Sequence, residues 1–260
     1  MIRNLLVITG VGFVLALVGI GGAVALVGND VQRHDWIWVA TEGPMGDDSI
    51  RFERGEVDPE VTRTLAWTGG DRLSLMMPGQ VVYRQGETAG VTVTGPRGMV
   101  ERVRLRDGRL SLADYDEDAP ERGYIRWSRK GIHAWSETDA LKVVVTAPAV
   151  TRFDTASNGR LVIEDYQQPR MELVLNGSGD VRAWGETDAL AVTLNGSGDV
   201  DLDRLVVTDA RVEVNGRGDV EVGPTGRADI EVSGRGDVTL TRTPEQLVQS
   251  VTGWGEVEQD

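Results

Sequence analysis

The chain has 260 residues, of which 33 are glycine and none is cysteine, and its formal net charge is −14. The acidic balance excludes nucleic acid as a partner, because a phosphate backbone would be repelled rather than attracted. The absence of cysteine excludes disulfides and thiolate chemistry. Regularly spaced glycines argue against a helical bundle, since each would cost about 1 kcal/mol inside a helix.

The first predicted element is a membrane-spanning helix within residues 1–28. Leu5 to Val27 form an apolar run without charge, long enough to cross a hydrocarbon core of about 30 Å. Arg3 precedes the run and acidic residues follow it, so the positive-inside rule predicts a single pass with the C-terminal part exported. The alternative is a cleaved signal peptide, because Ala23-Val-Ala25 has the small-x-small pattern of a cleavage site.

Two regions follow this segment. Residues 29–63 are polar and acidic without a sustained period, which predicts a linker. Residues 64–260 are predicted to form one all-β domain. Between Leu65 and Val145, short alternating segments such as Leu73-Ser-Leu75 are separated by Pro-Gly and Gly-Pro turns. This pattern predicts irregular β structure with one buried face.

A hexad recurs five times in the C-terminal part, where regular repeats begin at about residue 155. The copies start 19, 20, 18 and 19 residues apart, at Asn176, Asn195, Asn215, Ser233 and Thr252. Apolar residues alternate on both sides of each copy, so one unit is interpreted as strand, glycine corner, strand and a second, looser turn. The period predicts a β-helix or solenoid-like stack of coils of about 19 residues, since a propeller blade needs about 40.

The hexads are interpreted as structural corners, with no cofactor and no catalytic residue. Their glycines are expected to supply φ > 0 at a sharp turn. Their asparagines are expected to stack as an amide ladder. The predicted corner residues are Asn176, Gly177, Gly179, Asn195, Gly196, Gly198, Asn215, Gly216, Gly218, Gly234 and Gly236.

The hexads also predict a column of stacked acids, namely Asp180, Asp199, Asp219, Asp237 and Glu256. Unit charges about 4.8 Å apart repel by roughly 1 kcal/mol in water, so the column requires partners. Backbone N–H groups or Arg217 and Arg235 are candidates. A cation held by the four aspartates is the alternative, although calcium-binding β-rolls have Gly-x-Gly-x-Asp at half this period.

Catalytic candidates are few. The chain has only His34 and His133, which leaves little room for a Ser-His-Asp triad or a histidine metal site. Paired carboxylates remain, yet these acids recur regularly, whereas an active site needs one irregular cluster. Arg217-Gly-Asp219 and Arg235-Gly-Asp237 spell the tripeptide that integrins recognise, which we attribute to coincidence within the repeat.

The repeated Gly-Ser-Gly-Asp-Val, with Leu-x-Val-x-Leu before it and Leu141-Lys-Val-Val-Val-Thr-Ala-Pro148 upstream, resembles the head GIN-domain family of bacterial envelope proteins. The resemblance covers roughly Trp67 to Val257. The family is described as autotransporter-adhesin heads and is a domain family of unknown function. The resemblance implies an all-β, β-helix-like fold outside the cytoplasmic membrane and brings no catalytic residues.

The sequence therefore predicts a non-enzymatic structural or adhesion module, anchored in the bacterial cytoplasmic membrane by Leu5 to Val27 and exposed in the periplasm or outside the cell. Its expected partner is an envelope protein, a glycan or another copy of itself. Two alternatives stay open. One is a β-helix enzyme acting on polysaccharide, and the other is a calcium-stabilised envelope binding protein.

Overall fold

The computed structural model describes residues 36–42, 50–113, 122–128 and 131–259. The predicted span Leu5 to Val27 and His34 lie outside these residues. Among the helices within them, none has the length and apolar character needed to cross a membrane. The chain divides into two compact units, one from Met1–Asp58 and Asp118–Glu137 and the other from Pro59–Glu117 and Thr138–Asp260.

The described residues form 21 strands and one short helix. In chain order these are β1 (Trp36–Glu42), β2 (Ile50–Arg54), β3 (Glu60–Leu65), β4 (Arg72–Met76), β5 (Gln80–Gln85), β6 (Gly90–Pro96), α1 (Arg97–Arg102), β7 (Val103–Arg106), β8 (Arg109–Leu112), β9 (Gly123–Ser128), β10 (Gly131–Ser136), β11 (Lys142–Ala147), β12 (Arg152–Thr155), β13 (Arg160–Gln167), β14 (Arg170–Leu175), β15 (Val181–Leu194), β16 (Val200–Val214), β17 (Val220–Pro224), β18 (Arg227–Val232), β19 (Val238–Leu240), β20 (Gln246–Val251) and β21 (Val257–Gln259).

The smaller unit is an antiparallel sheet of four strands in the order β10-β9-β1-β2. The ring of Tyr124 stacks on that of Trp135 at 5.6 Å. The Tyr124 hydroxyl donates a hydrogen bond to the Glu137 carboxylate at 2.9 Å. Burial, together with this carboxylate, raises the pKa of Tyr124 to about 12.

Strands β1 and β2 and the first four residues of β3 lie in residues 29–63, where the sequence predicted a polar linker. The difference has a topological cause. Strand β1 pairs with β9, so that Trp36 lies opposite Trp127. A strand whose partner lies about 90 residues away in the chain has no local turn signal to reveal it.

The larger unit is built from two parallel ladders that lie on either side of a corner. The pre-corner ladder stacks β4, β12, β14, the second halves of β15 and β16, β18 and β20. The post-corner ladder stacks β5, β13, the first halves of β15 and β16, β17, β19 and β21. Each coil adds one strand to each ladder, and the predicted solenoid-like stack is confirmed.

Two coils precede the five marked by hexads. Strands β4 and β5 stack directly on β12 and β13, and Val81 lies opposite Leu161, 80 positions later in the chain. Their corners, Met77-Pro-Gly79 and Ser157-Asn-Gly159, keep only the second glycine of the hexad. The sequence signal is lost there because most corner residues differ, although the register is the same.

In the central coils, a continuous strand takes the place of the second turn that the sequence predicted for each unit. Strands β15 and β16 run through it without a break, over 14 and 15 residues. The bend is made by a shift of register between Arg182 and Gly185, where Gly185 has φ +130°. One extra residue in a strand bends it without ending it. One coil later, Pro224 and Gly226 border a true interruption between β17 and β18.

A column of aliphatic side chains fills the stack. In the pre-corner ladder Leu173, Val192, Val212 and Ile230 lie one above another and are buried. Each such side chain contributes roughly 1.5–3 kcal/mol by burial. The first two coils differ, because Phe153 packs edge-on against Tyr83 at 5.1 Å and against Tyr166 at 6.0 Å. These three rings link the first coil to the second.

The buried tyrosines predict loss of stability at alkaline pH. Burial raises the pKa of Tyr83 and of Tyr166 above the usual value of 10. Above pH 10 the unfolded chain therefore releases protons that the folded chain retains, and the free energy of unfolding falls as pH rises. Denaturant titrations at pH 8 and pH 11 check this. Tyr166→Phe is expected to reduce the difference, and an equal difference in that variant would contradict the assignment.

Candidate functional site

The hexads form a continuous corner along one edge of the stack, and their glycines lie above one another. A Cβ on Gly196 would lie 1.7 Å from the carbonyl oxygen of Gly177, and one on Gly216 would lie 1.8 Å from that of Gly196. In the same way, a Cβ on Gly198 would lie 1.8 Å from the carbonyl oxygen of Gly179, and one on Gly218 would lie 1.8 Å from that of Gly198. No corner glycine of the hexads has a left-handed φ. The expectation of φ > 0 is therefore wrong, and glycine is required because the coils approach too closely for any side chain.

The asparagines of the corner form an amide ladder on its exposed side. Asn195 Nδ2 donates to Asn176 Oδ1 at 2.8 Å, and Asn215 Nδ2 donates to Asn195 Oδ1 at 3.0 Å. Ser233 continues the ladder by donating its hydroxyl to Asn215 Oδ1 at 2.6 Å. Asn195 keeps a further side-chain N–H, since the amide group has two, whereas the second N–H of Asn215 donates to Glu213 Oε1 at 3.0 Å.

The acids form a second column, and their partner is the backbone. Asp199 Oδ1 accepts from the N–H of Asp219 at 3.1 Å, and Asp219 Oδ1 accepts from that of Asp237 at 2.9 Å. Asp237 Oδ1 accepts from the N–H of Glu256 at 2.8 Å. Asp199, Asp219 and Asp237 are therefore each stabilised by the amide of the next acid, whereas Asp180 pairs with Arg160 at 3.6 Å. Among the described residues, no three His, Asp or Glu side chains form a group suited to a metal ion.

The backbone bonds predict how the acid column responds to substitution. Asp219→Asn keeps an oxygen that accepts from Asp237 and removes one repelling charge, so the free energy of unfolding should stay within about 0.5 kcal/mol of wild type. Asp219→Ala removes the acceptor and should lower it by about 1 kcal/mol. Urea denaturation of both variants measures this. Equal losses in the two would show that the charge, rather than the acceptor, is required.

Exposed arginines elsewhere on the stack pair with acids of the neighbouring coil. Arg152 contacts Glu172 at 2.7 Å, Arg182 contacts Asp201 at 3.3 Å, and Arg160 contacts Asp180 at 3.6 Å. Such exposed pairs each contribute at most about 1 kcal/mol. They show that cross-coil pairing is the usual arrangement for an arginine on this surface.

Arg217 and Arg235 do not follow that arrangement. Within the described part of the chain neither makes an ion pair, so they are not the partners of the acid column that the sequence suggested. They lie instead in a shallow groove on the outer side of the last coils. We name this the corner groove, and its side chains are those of Asn195, Ser197, Asn215, Arg217, Ser233, Arg235 and Trp254.

The two Arg-Gly-Asp tripeptides are parts of these rigid corners. In Arg217-Gly-Asp219 the glycine packs against Gly198, and the aspartate accepts the N–H of Asp237. Neither tripeptide is therefore presented on an extended loop. Of the two histidines, His133 lies in the smaller unit, where its ring stacks on Trp135 at 5.3 Å.

Together these features define a parallel β-solenoid domain with glycine corners and polar outer faces. The chain belongs to the family described as "Putative auto-transporter adhesin, head GIN domain", whose profile matches residues 71–244. The predicted family is thus confirmed. No significant match is found among curated proteins.

Of three solved structures of similar proteins, the first agrees with the fold. A "putative adhesin" from Bacteroides fragilis NCTC 9343 is 17% identical, with a TM-score of 0.59 over 78% of this chain and 97% of that one. A "putative lipid binding protein" from Parabacteroides distasonis ATCC 8503 is 16% identical, with a TM-score of 0.47 over 77% and 96% of the two chains. A "putative adhesin" from Parabacteroides merdae ATCC 43184 is 14% identical, with a TM-score of 0.40 over 77% and 96%.

Proposed function

We propose that this protein is a non-catalytic adhesion or interaction module exposed at the cell envelope and tethered to the membrane by residues 5–27. The observation that carries the proposal is the regular polar surface of the solenoid. Its exposed acids and arginines are mostly engaged with one another or with the backbone, as Arg182 and Asp201 are. Such a surface gives a rigid, extended contact area, which is how solenoid proteins bind their partners.

The same surface disfavours the two alternatives. A glycosidase needs two carboxylates whose surroundings give them different pKa values, so that one is protonated and the other ionised. Here Asp199, Asp219 and Asp237 occupy equivalent positions, and each accepts a backbone N–H. Each bond engages one oxygen of the carboxylate, and among the described residues no three acidic or histidine side chains form a group suited to a metal ion. The melting temperature is accordingly expected to be the same with calcium and with a chelator.

Photo-crosslinking of the full chain in its native envelope tests the proposal. A photoreactive residue at Val206, whose side chain is 51% exposed, should capture an envelope protein, a glycan or a second copy, while one at the buried Val192 should capture nothing. Cleavage of envelope polysaccharide by the purified chain, without any crosslink from Val206, would overturn the proposal in favour of an enzyme.

The membrane tether has its own test. Flotation of cell membranes should carry the full chain with them, and its mass should include residues 5–27. A mature N-terminus at Leu26 would instead identify the apolar run as a cleaved signal peptide.

A further inference from the structure

The corner groove presents one side chain per coil at a fixed spacing. The N–H of Arg217 bonds to the carbonyl of Gly196, and that of Arg235 bonds to Gly216. In the last coil the N–H of Trp254 bonds to Gly234 in the same way. These three side chains therefore start from equivalent positions on successive coils, about 4.8 Å apart along the stack.

Within the described residues, the only charges that line the groove are positive. Asp219 and Asp237 belong to the same corners, yet no carboxylate is among the groove residues. Arg217 and Arg235 are thus two like charges on adjacent coils without a described acidic partner, and like charges so placed repel one another. A bound anion would relieve this repulsion, and a guanidinium matches the geometry of a carboxylate well.

Trp254 adds a flat apolar surface at the end of the groove. Its side chain is 88% exposed, the largest value among the exposed apolar side chains of the described chain. An exposed tryptophan offers a large contact area at low conformational cost, which suits it to a binding surface. Beside it, the ladder provides one side-chain N–H of Asn195 and the oxygens of Asn215 and Ser233, which can bond to hydroxyls.

The combination selects one ligand class. Carboxylates of the ligand would pair with the two arginines, and the C–H face of a ring would stack on the tryptophan. Hydroxyl groups would form hydrogen bonds with the amide ladder. A polysaccharide of acidic sugars carries all three, and its sugar rings repeat at a length similar to the coil spacing. The net charge of −14 repels every polyanion at long range, an acidic polysaccharide included. Binding is therefore expected only at the corner groove, where the charged lining residues are Arg217 and Arg235.

We propose that the corner groove binds an acidic polysaccharide along the stack axis, with Arg217 and Arg235 pairing to sugar carboxylates and Trp254 stacking on a sugar ring. The assignment rests on the proposed function as an interaction module and specifies its ligand. Residues Asn195 and Asn215 orient the chain through its hydroxyl groups.

Binding of the full-length protein to immobilised polygalacturonate tests the assignment. The double variant Arg217→Gln with Arg235→Gln should weaken binding by about tenfold or more, because two charge-assisted bonds are lost. Trp254→Ala should weaken it by about fivefold to tenfold, and Trp254→Tyr should largely restore it. The double variant Arg160→Gln with Arg182→Gln removes the same two charges from arginines that are paired with Asp180 and Asp201. It is the matched control and should bind as wild type.

Neutral glucan and inorganic polyphosphate serve as comparison ligands. Weak binding of both, relative to polygalacturonate, supports an acidic sugar. If polyphosphate bound as tightly as polygalacturonate and Trp254→Ala had no effect, the groove would bind any anion by charge alone. That result would overturn the inference. Unchanged polygalacturonate binding in the double variant would also overturn it. Crosslinking from Val206 without any polygalacturonate binding would overturn this inference alone and leave the proposed function standing.

Discussion

Replacing Gly196 by alanine should lower the free energy of unfolding by about 3 kcal/mol or more, because overpacking at an immobile neighbour costs this much. The new Cβ would lie 1.7 Å from the carbonyl oxygen of Gly177, which also accepts the N–H of Ser197 at 3.0 Å. The two coils must separate there and lose that hydrogen bond. Thermal unfolding should show a melting temperature lower by roughly 6–12 °C.

The matched control is Gly90→Ala in strand β6. A Cβ on Gly90 has no atom within 4 Å, and alanine reduces the entropy of the unfolded chain. Its stability should equal or slightly exceed that of wild type. Similar stabilities of the two alanine variants would contradict the view that close stacking of the coils requires glycine at position 196.

Replacing Phe153 by alanine should lower the free energy of unfolding by about 3–5 kcal/mol, the usual cost of deleting a buried aromatic side chain. Its ring is 1% exposed and lies between Tyr83 and Tyr166. The cavity would open where the first coil meets the second. Neither tyrosine can move in to fill it, because the Tyr83 hydroxyl donates to Ala147 and that of Tyr166 donates to Arg170.

Denaturant unfolding monitored by circular dichroism measures this loss. Phe153→Leu keeps most of the apolar volume and should cost clearly less than alanine. Val248→Ala, at an exposed side chain of the last coil, should change stability by less than about 0.5 kcal/mol. If Phe153→Ala were no more harmful than Val248→Ala, the ring cluster would not join the two coils.

The regular coils could be predicted from the sequence because each repeats the same residues at the same corner. Stacking of identical side chains then gives the amide ladder of Asn176, Asn195 and Asn215 directly. The first two coils could not be found this way, since Met77-Pro-Gly79 has little in common with the hexads. Pairing across 80 residues, as between Val81 and Leu161, leaves no local signal.

The corner chemistry was only partly accessible from the residues. The sequence indicated that the acids needed partners, and it offered Arg217 and Arg235 because these are the nearest cations in the repeat. The amide of the next acid serves instead, which depends on how adjacent coils align and not on residue type. The second, looser turn was predicted, but in β15 and β16 a bend at Gly185 takes its place and keeps the strand continuous.

The long insertion between the first two coils has a consequence for the order of folding. Later coils bond to neighbours only 18–20 residues away, whereas Val81 of β5 lies opposite Val143 and Leu161, which come 62 and 80 positions later. Short loops close at lower entropic cost, so the C-terminal coils should form first and recruit the N-terminal coil last. Pulsed hydrogen exchange during refolding should therefore protect the amide of Val200 before that of Val81.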